Sequence, residues 1–249
     1  MQELLFGVQP VREALKAEAA SKAGRPIDCV LVASGAVSPG VGAIRELCRE
    51  LSIPVKQSDA KKLDLLCEGG NHQGVAAMVA AAAYVTTDML FERAQEREEP
   101  PFLVVCAGLE DPHNLGAIAR TAEAAGAHGM IVPERRSVGL TAAVAKTAAG
   151  ALEYLPVARV KNIAVCMEEL KERGVWLYGA EMGGAAYDKT DYSGAVGLVI
   201  GAEAKGLGQL IKSRCDFLVS LPMRGKIESL NASVAAGILL YEIAKQRGG

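Results

Sequence analysis

Residues 101–133 read PFLVVCAGLEDPHNLGAIARTAEAAGAHGMIVP. FLVVCAG is an uninterrupted apolar run of strand length with no polar alternation, so both of its faces need cover. GLEDPH is a loop, NLGAIARTAEAAGA an Ala-rich helix, and HGMIVP the next strand. The same alternation continues, with strands at GALEYLPVA, VWLYGAE, GLVIG and FLVSLP and helices near 161–173, 206–214 and 230–247. Strands alternating with helices predict an α/β domain with a mostly parallel sheet covered on both faces. In such sheets ligands bind where the strands end at their carboxyl edge. Three loops come under attention: GLEDPHN after the first strand, GAEAKGLG after GLVIG, and PMRGKIESLN after FLVSL.

Working back toward the amino terminus, Pro10 opens a helix, VREALKAEAA, with Val11, Ala14, Leu15 and Glu18 at a 3.6 period. CVLVA is a short strand bounded by Gly35, and GVGAIRELCRELSI is a second helix ended by Pro54. A third, SDAKKLDLLCE, starts at Ser58 or Asp59 as N-cap, and NHQGVAAMVAAA supplies a buried strand. Residues 1–80 are thus a small α/β domain. Residues 81–100 form a linker, helical in its middle: YVTTDMLFERAQEREEPP at 84–101 carries two cations against five carboxylates and ends in a double proline. Residues 101–249 are the larger domain.

The 249 residues are 50% hydrophobic and 22% charged, enough apolar material for a sizeable core. Lys and Arg number 27 and Asp and Glu 29, a net charge of −2 that divides as 9 minus 9 over residues 1–76 and 16 minus 15 over residues 101–249. A polyanionic partner must therefore meet a local patch rather than a basic domain. No apolar run approaches the roughly 18 residues that span a bilayer, and MQELLFGVQPVREALKAE is amphipathic rather than a leader, so a cytoplasmic, non-membrane protein is expected. Cys29, Cys48, Cys67, Cys106, Cys166 and Cys215 lie far apart with no C-x-x-C and no His at ligand spacing. They read as core thiols in a reducing compartment, with neither disulfides nor metal.

The dinucleotide fingerprint G-x-G-x-x-G is missing, and GAEAKGLG lacks the G-K-[ST] ending of a phosphate-cradling loop. A nucleoside-type ligand held by the backbone of glycine-rich turns remains open. In the first loop Asn114 reads either as a helix N-cap or as a functional amide. Arg120 is the only cation between Leu115 and Met130. It is either a surface arginine paired with Glu123 or a fork for phosphate oxygens. Glu203 could accept hydrogen bonds from backbone or from Arg120, or be a carboxylate favoured at a helix start. Ser229 and Asn231 begin the last helix, and having both is more than capping requires.

Taken in order, N-L-G-A-I-A-R at 114–120, L-V-I-G-A-E-A-K-G-L-G at 198–208 and L-P-M-R-G-K-I-E-S-L-N-A-S-V-A-A-G at 221–237 closely resemble the three motifs of the SpoU/TrmH group of SPOUT RNA 2'-O-ribose methyltransferases. FGVQPVREAL with NHQGVAA resembles the ribosomal-protein-L30-like RNA-binding domain that precedes it in the RlmB branch, which methylates a guanosine of 23S ribosomal RNA. The resemblance implies a SPOUT α/β-knot domain whose segment near 196–249 threads a trefoil knot, S-adenosylmethionine as cofactor, ribosomal RNA as partner and a homodimer. It implies cofactor contacts at Gly201, Leu221, Ile227 and Leu230, and a catalytic group of Asn114, Arg120, Glu203, Ser229 and Asn231. The family assigns the counterpart of Arg120 as base, yet a guanidinium with a pKa above about 12 stays protonated. Arg120 is better read as a phosphate clamp and stabiliser of the developing alkoxide. Transfer RNA, an rRNA adenosine modified for antibiotic resistance, or a silent RNA-binding role are the alternatives.

Overall fold

The computed structural model describes residues 2–20, 25–80, 83–202 and 206–248. The chain falls into two compact units, one of residues 1–83 with 140–154, the other of residues 84–139 with 155–249.

The first unit holds β1 (Gln2–Phe6), α1 (Val8–Ala19), β2 (Ile27–Ala33), α2 (Pro39–Glu50), β3 (Val55–Ser58), α3 (Ala60–Leu66) and β4 (Val75–Ala80). Its sheet runs β1-β4-β2-β3, antiparallel except for the β2/β3 pair. Side-chain alternation divides the strands between two cores. Val30, Val32, Val75, Ala77 and Val79 face Leu15, Val41 and Ile44 of α1 and α2, while Ala33 and Ala76 face Leu63 of α3 and Cys67 at its C-cap. Each fully buried Leu or Ile here contributes about 1.5–3 kcal/mol. Asp59 is the α3 cap, its carboxylate accepting from the Lys61 N–H at 3.0 Å. Two strands were missed. QELLF and VKQS are short, and their pairing with β4 and β2 is a tertiary effect that no local period announces.

The division of the chain departs from expectation in two places. Residues 140–154, placed by sequence in the larger domain, join the first unit: α6 (Ala142–Ala148) buries Ala145 and Leu152 packs beside it in the core of α1 and α2. Glu153 is buried there as the partner of Arg25, whose Nε donates to it at 3.1 Å while Nη1 reaches Glu3 at 3.0 Å. An Ala-rich segment with so little polar contrast gives no amphipathic signal. The expected linker is helical in its middle, as expected, but from residue 84 it belongs to the second unit rather than standing apart from it. It carries α4 (Thr87–Glu96), which buries Leu90 and Ala94, four residues apart, in the second unit.

In the second unit β5 (Phe102–Ala107), β6 (Gly129–Pro133), β7 (Val157–Val160), β8 (Trp176–Ala186), β9 (Val196–Gly201) and β10 (Phe217–Ser220) form a wholly parallel sheet in the order β10-β8-β9-β5-β6-β7. Of GALEYLPVA only the last residues are strand, since 151–153 form a 3-10 turn. One face packs on α4 and α7 (Ile163–Glu172), through Leu90, Met167 and Leu170. α5 (Pro112–Ala124) packs on α9 (Ala232–Arg247), and both bury apolar rows, Leu115, Ile118, Ala119 and Ala122 against Ala236, Leu239, Leu240 and Ile243. α8 (Gln209–Lys212) is a single turn. His128 staples the start of β5 to β6, its buried Nδ1 accepting from the Phe102 N–H at 2.9 Å. Burial pushes its pKa down to about 4 against the opposing pull of Glu99, 3.2 Å from Nε2.

All six cysteines are free thiols. Burial raises Cys48 and Cys166 to about 11 and Cys106 to about 12, so none of these three is a nucleophile. Among the described residues no group of His, Cys, Asp and Glu could hold a metal ion, and no helix is long and apolar enough to cross a membrane.

Candidate active site

At the carboxyl edge of the second sheet a cavity of about 330 Å³ opens between the ends of β8, β9 and β10 and the start of α9. Apolar side chains of Ile200, Val219, Leu221, Leu230 and Leu239 form much of the wall, and Gly201 brings bare backbone to it. Gly201 is there because nothing larger fits: a Cβ would lie 2.3 Å from the carbonyl carbon and oxygen of Gly206. The strand end and the returning turn are clasped by the Gly206 N–H donating to the Ala202 carbonyl at 2.9 Å.

A bulge in β8 completes the wall. Pairing with β10 steps from Gly179 opposite Leu218 to Ala185 opposite Val219, so residues 180–184 swing out of the ladder and carry Glu181 and Met182 into the cavity lining. Gly184 allows this, since a Cβ would meet the Leu218 carbonyl at 2.5 Å. Glu181 accepts from the Leu207 N–H at 3.2 Å and pairs with Lys212 at 3.3 Å, tying the bulge to the turn after β9. Sequence reading missed Glu181, Met182 and Met223. The only available signal was the pair of glycines inside VWLYGAEMGGAA.

Of the expected cofactor contacts, Gly201, Leu221 and Leu230 line the cavity together. Ile227 does not: it is 66% exposed and outside the lining, because it sits on the irregular turn before α9 rather than on the wall. Of the expected catalytic group, Ser229 lines the cavity. Asn231 is the N-cap of α9, its Oδ1 accepting from the N–H groups of Ser233 at 2.9 Å and Val234 at 3.3 Å and from the Ser233 hydroxyl at 2.6 Å. That oxygen is fully engaged, so what Asn231 can offer a substrate is its amide donors. Asn114 is not the cap of α5. Asp111 is, accepting from the His113 N–H at 2.9 Å, and Asn114 lies in the first turn, only 5% exposed. Arg120 is exposed on α5 and makes no ion pair with Glu123 or any other described residue. Neither Asn114 nor Arg120 lines the cavity, although α5, which carries both, packs on α9, whose start does. Glu203 lies outside the described residues.

Residues 101–241 match the model of the SpoU rRNA methylase family, and residues 4–85 that of the substrate-binding domain of RNA 2'-O-ribose methyltransferases. The chain belongs to the SpoU methylase family. Relatives by sequence include the TrmH-family tRNA/rRNA methyltransferase YacO of Bacillus subtilis, 45% identical over 98% of this chain and 96% of that one, and a Staphylococcus aureus protein of the same description, 39% identical over the same shares. Among solved structures, the SpoU methyltransferase AviRb of Streptomyces viridochromogenes in complex with AdoMet superposes with a TM-score of 0.78 at 27% identity, over 98% of this chain and 90% of that one. An AdoMet-bound rRNA methyltransferase of Sinorhizobium meliloti gives 0.78 at 25% identity, over 98% and 87%. The protein is an RNA 2'-O-ribose methyltransferase, an α/β enzyme with its substrate-binding domain first and its methylase domain second.

The cavity fits the family's methyl donor, S-adenosylmethionine. Its ionisable wall residues among those described are the carboxylates Glu228 and Glu181, the latter paired with Lys212 from outside the lining, and a wall of carboxylates without cations suits a sulfonium. Its apolar sides suit adenine, and the bare backbone at Gly201 offers the hydrogen bonds that orient such a ligand.

Proposed function

We propose that this enzyme methylates the ribose 2'-OH of a guanosine in 23S ribosomal RNA, as a homodimer in the cytoplasm, with the segment near 196–249 threaded as a trefoil knot. The observation that carries the reading is the cavity itself: the second and third motif loops wall it, and α5, the helix that follows the first, packs on α9 beside it. S-adenosylmethionine, held by Gly201, Leu221 and Leu230, supplies an electrophilic methyl group. The chain's residues position the nucleophile and manage its charge. Arg120, exposed and uncommitted to any carboxylate among the described residues, holds the RNA phosphate next to the target ribose and stabilises the alkoxide as the hydroxyl passes its proton to water, the methyl group leaving S-adenosylhomocysteine behind. Ser229 and the amide donors of Asn231 orient the ribose from the cavity rim. Asn114 supports Arg120 from the buried side of α5, and Glu203 is the remaining member of the catalytic group that the motifs imply.

The homodimer reading rests on α9, which from Val234 to Tyr241 is apolar on all sides. Its inner row is buried, while Val234, Ile238 and Tyr241, spaced four and three residues apart, leave an exposed stripe that a second copy would cover. The ribosomal target rests on the substrate-binding domain and on the resemblance of FGVQPVREAL and NHQGVAA to the RlmB branch. Transfer RNA is the second reading, supported by the Bacillus relative, whose name covers both RNAs.

Two experiments test the proposal. Ribose-methylation mapping of total RNA from a strain lacking the protein should lose one 2'-O-methylguanosine of 23S rRNA; loss of a tRNA site instead would move the target. Arg120→Ala should lower single-turnover methyl transfer by about 10²-fold or more while leaving S-adenosylmethionine affinity nearly unchanged, and Arg120→Lys should rescue little because a point charge cannot reproduce the bidentate fork. Near-normal turnover in folded Arg120→Ala would remove Arg120 from the chemistry.

A further inference from the structure

We infer that Arg135 and Arg136, on the loop after β6, bind the RNA backbone one or two phosphates away from the ribose being methylated; the inference rests on the RNA methyltransferase reading above.

The sheet order places them there. Along the carboxyl edge the strand ends run β10, β8, β9, β5, β6, so the cavity at β8, β9 and β10 is followed by the loop after β5 that leads to Asn114 and Arg120, and then by the loop after β6. Neighbouring strands lie about 4.8 Å apart, so the end of β6 is on the order of 10 Å from the end of β9. Successive phosphates along an RNA strand are separated by a distance of the same order. A strand presenting its ribose beside Gly201 would therefore pass its flanking phosphates over the β6 loop.

The loop is held for that use. Arg136 has φ +58, the left-handed region that a long side chain seldom adopts, and sequence gives no glycine there. Strain of this kind persists only where the surroundings fix it. Here the Ser137 hydroxyl donates to the Leu109 carbonyl at 3.0 Å and the Val138 N–H donates to the same oxygen at 2.9 Å. Leu109 lies just ahead of Asp111, the cap of α5, so the arginine pair is tied to the element that carries Arg120. Both guanidiniums are exposed, and neither makes an ion pair with a described residue. Glu134 precedes them but pairs with neither, so two adjacent cations are left to repel one another, and a phosphodiester backbone relieves that repulsion with paired hydrogen bonds to each fork. This loop also supplies the localised positive charge that a chain of net charge −2 needs to meet RNA.

The test is Arg135→Ala combined with Arg136→Asn, asparagine being chosen because it tolerates the left-handed backbone. In steady-state methyl transfer on an rRNA fragment, the double variant should raise the KM for RNA by about tenfold or more, with kcat at saturating RNA and S-adenosylmethionine affinity near those of the wild type. The slope of log affinity against log salt should fall by about 1.4, the loss of two counterion releases on single-stranded RNA. Arg135→Lys with Arg136→Lys should restore the salt slope, since the charge is back. An unchanged KM and slope in the double variant, with the wild type active on the same RNA, overturns the site. Should the wild type bind S-adenosylmethionine yet methylate no RNA, the underlying reading fails instead.

Discussion

Adding one methyl group at Gly201 tests how the cofactor seat is built. The new Cβ of Gly201→Ala would lie 2.3 Å from the Gly206 carbonyl carbon and 2.7 Å from the Leu207 nitrogen. Carbon atoms rest about 3.5–4.0 Å apart, so the turn must retreat by roughly 1 Å or more. All three atoms that it meets are backbone, so no side chain can swing aside to absorb the overlap. Two hydrogen bonds hold the turn where it is, Gly206 to Ala202 at 2.9 Å and Leu207 to Glu181 at 3.2 Å, and a 1 Å shift takes either beyond hydrogen-bonding range. Overpacking of this kind costs about 1–3 kcal/mol in stability. At about 2–4 °C per kcal/mol for a domain of 150–250 residues, melting should fall by several degrees. Displacing the backbone that orients the ligand removes one or two hydrogen bonds, each about 0.5–1.5 kcal/mol, hence a loss of about tenfold in affinity. Calorimetric titration with S-adenosylmethionine and a melting curve measure both effects. Gly208→Ala is the control, because its Cβ would meet nothing within 4 Å. Wild-type affinity and melting in Gly201→Ala would refute the account of the seat.

Three further outcomes are expected. Glu181→Ala, which removes the acceptor for the Leu207 N–H and the partner of Lys212, should weaken S-adenosylmethionine binding by about tenfold, whereas Glu181→Gln, which keeps an acceptor, should lose less; equal losses in titration would mean that the charge alone matters. His128 is held neutral down to about pH 4, while in the unfolded chain it protonates near its ordinary 6.5, so the stability it contributes is fully present above about pH 6.5 and is lost as pH falls toward 4, on the order of 3 kcal/mol in all. Denaturant midpoints at pH 7 and pH 5 should separate more in the wild type than in His128→Gln, and equal separations would discount the group. Ile238→Glu should turn a dimer into a monomer by light scattering; a wild type already monomeric at micromolar concentration would remove α9 as the interface.

The parallel sheet was legible because its strands are buried on both faces. FLVVCA, GMIVP and VGLVIG are apolar runs that solvent could not tolerate, and each is bounded by glycine, proline or a polar turn. The carboxyl-edge rule marked the loops after β9 and β10 as one place, and the cavity lies there, but the choice of Gly201, Leu221 and Leu230 within those loops came from the resemblance to the SpoU/TrmH motifs. What escaped depends on pairing across the sheet. β1 and β3 are strands only because β4 and β2 accept them, and the β8 bulge exists only because β10 changes register against it, which is how Glu181 comes to the cavity wall. Residues 140–154 escaped for a different reason: Ala145, Leu152 and Glu153 are recognisable as core and ion-pair residues only beside α1 and Arg25, and Arg25 lies 128 positions away in sequence. Local chemistry announces an element when its own burial pattern is sufficient to stabilise it. Where the stabilising partner is remote, as for Glu153 and for the bulge that carries Glu181, the residue types are visible but their role is not, and Glu181 was for that reason absent from the sequence-based site.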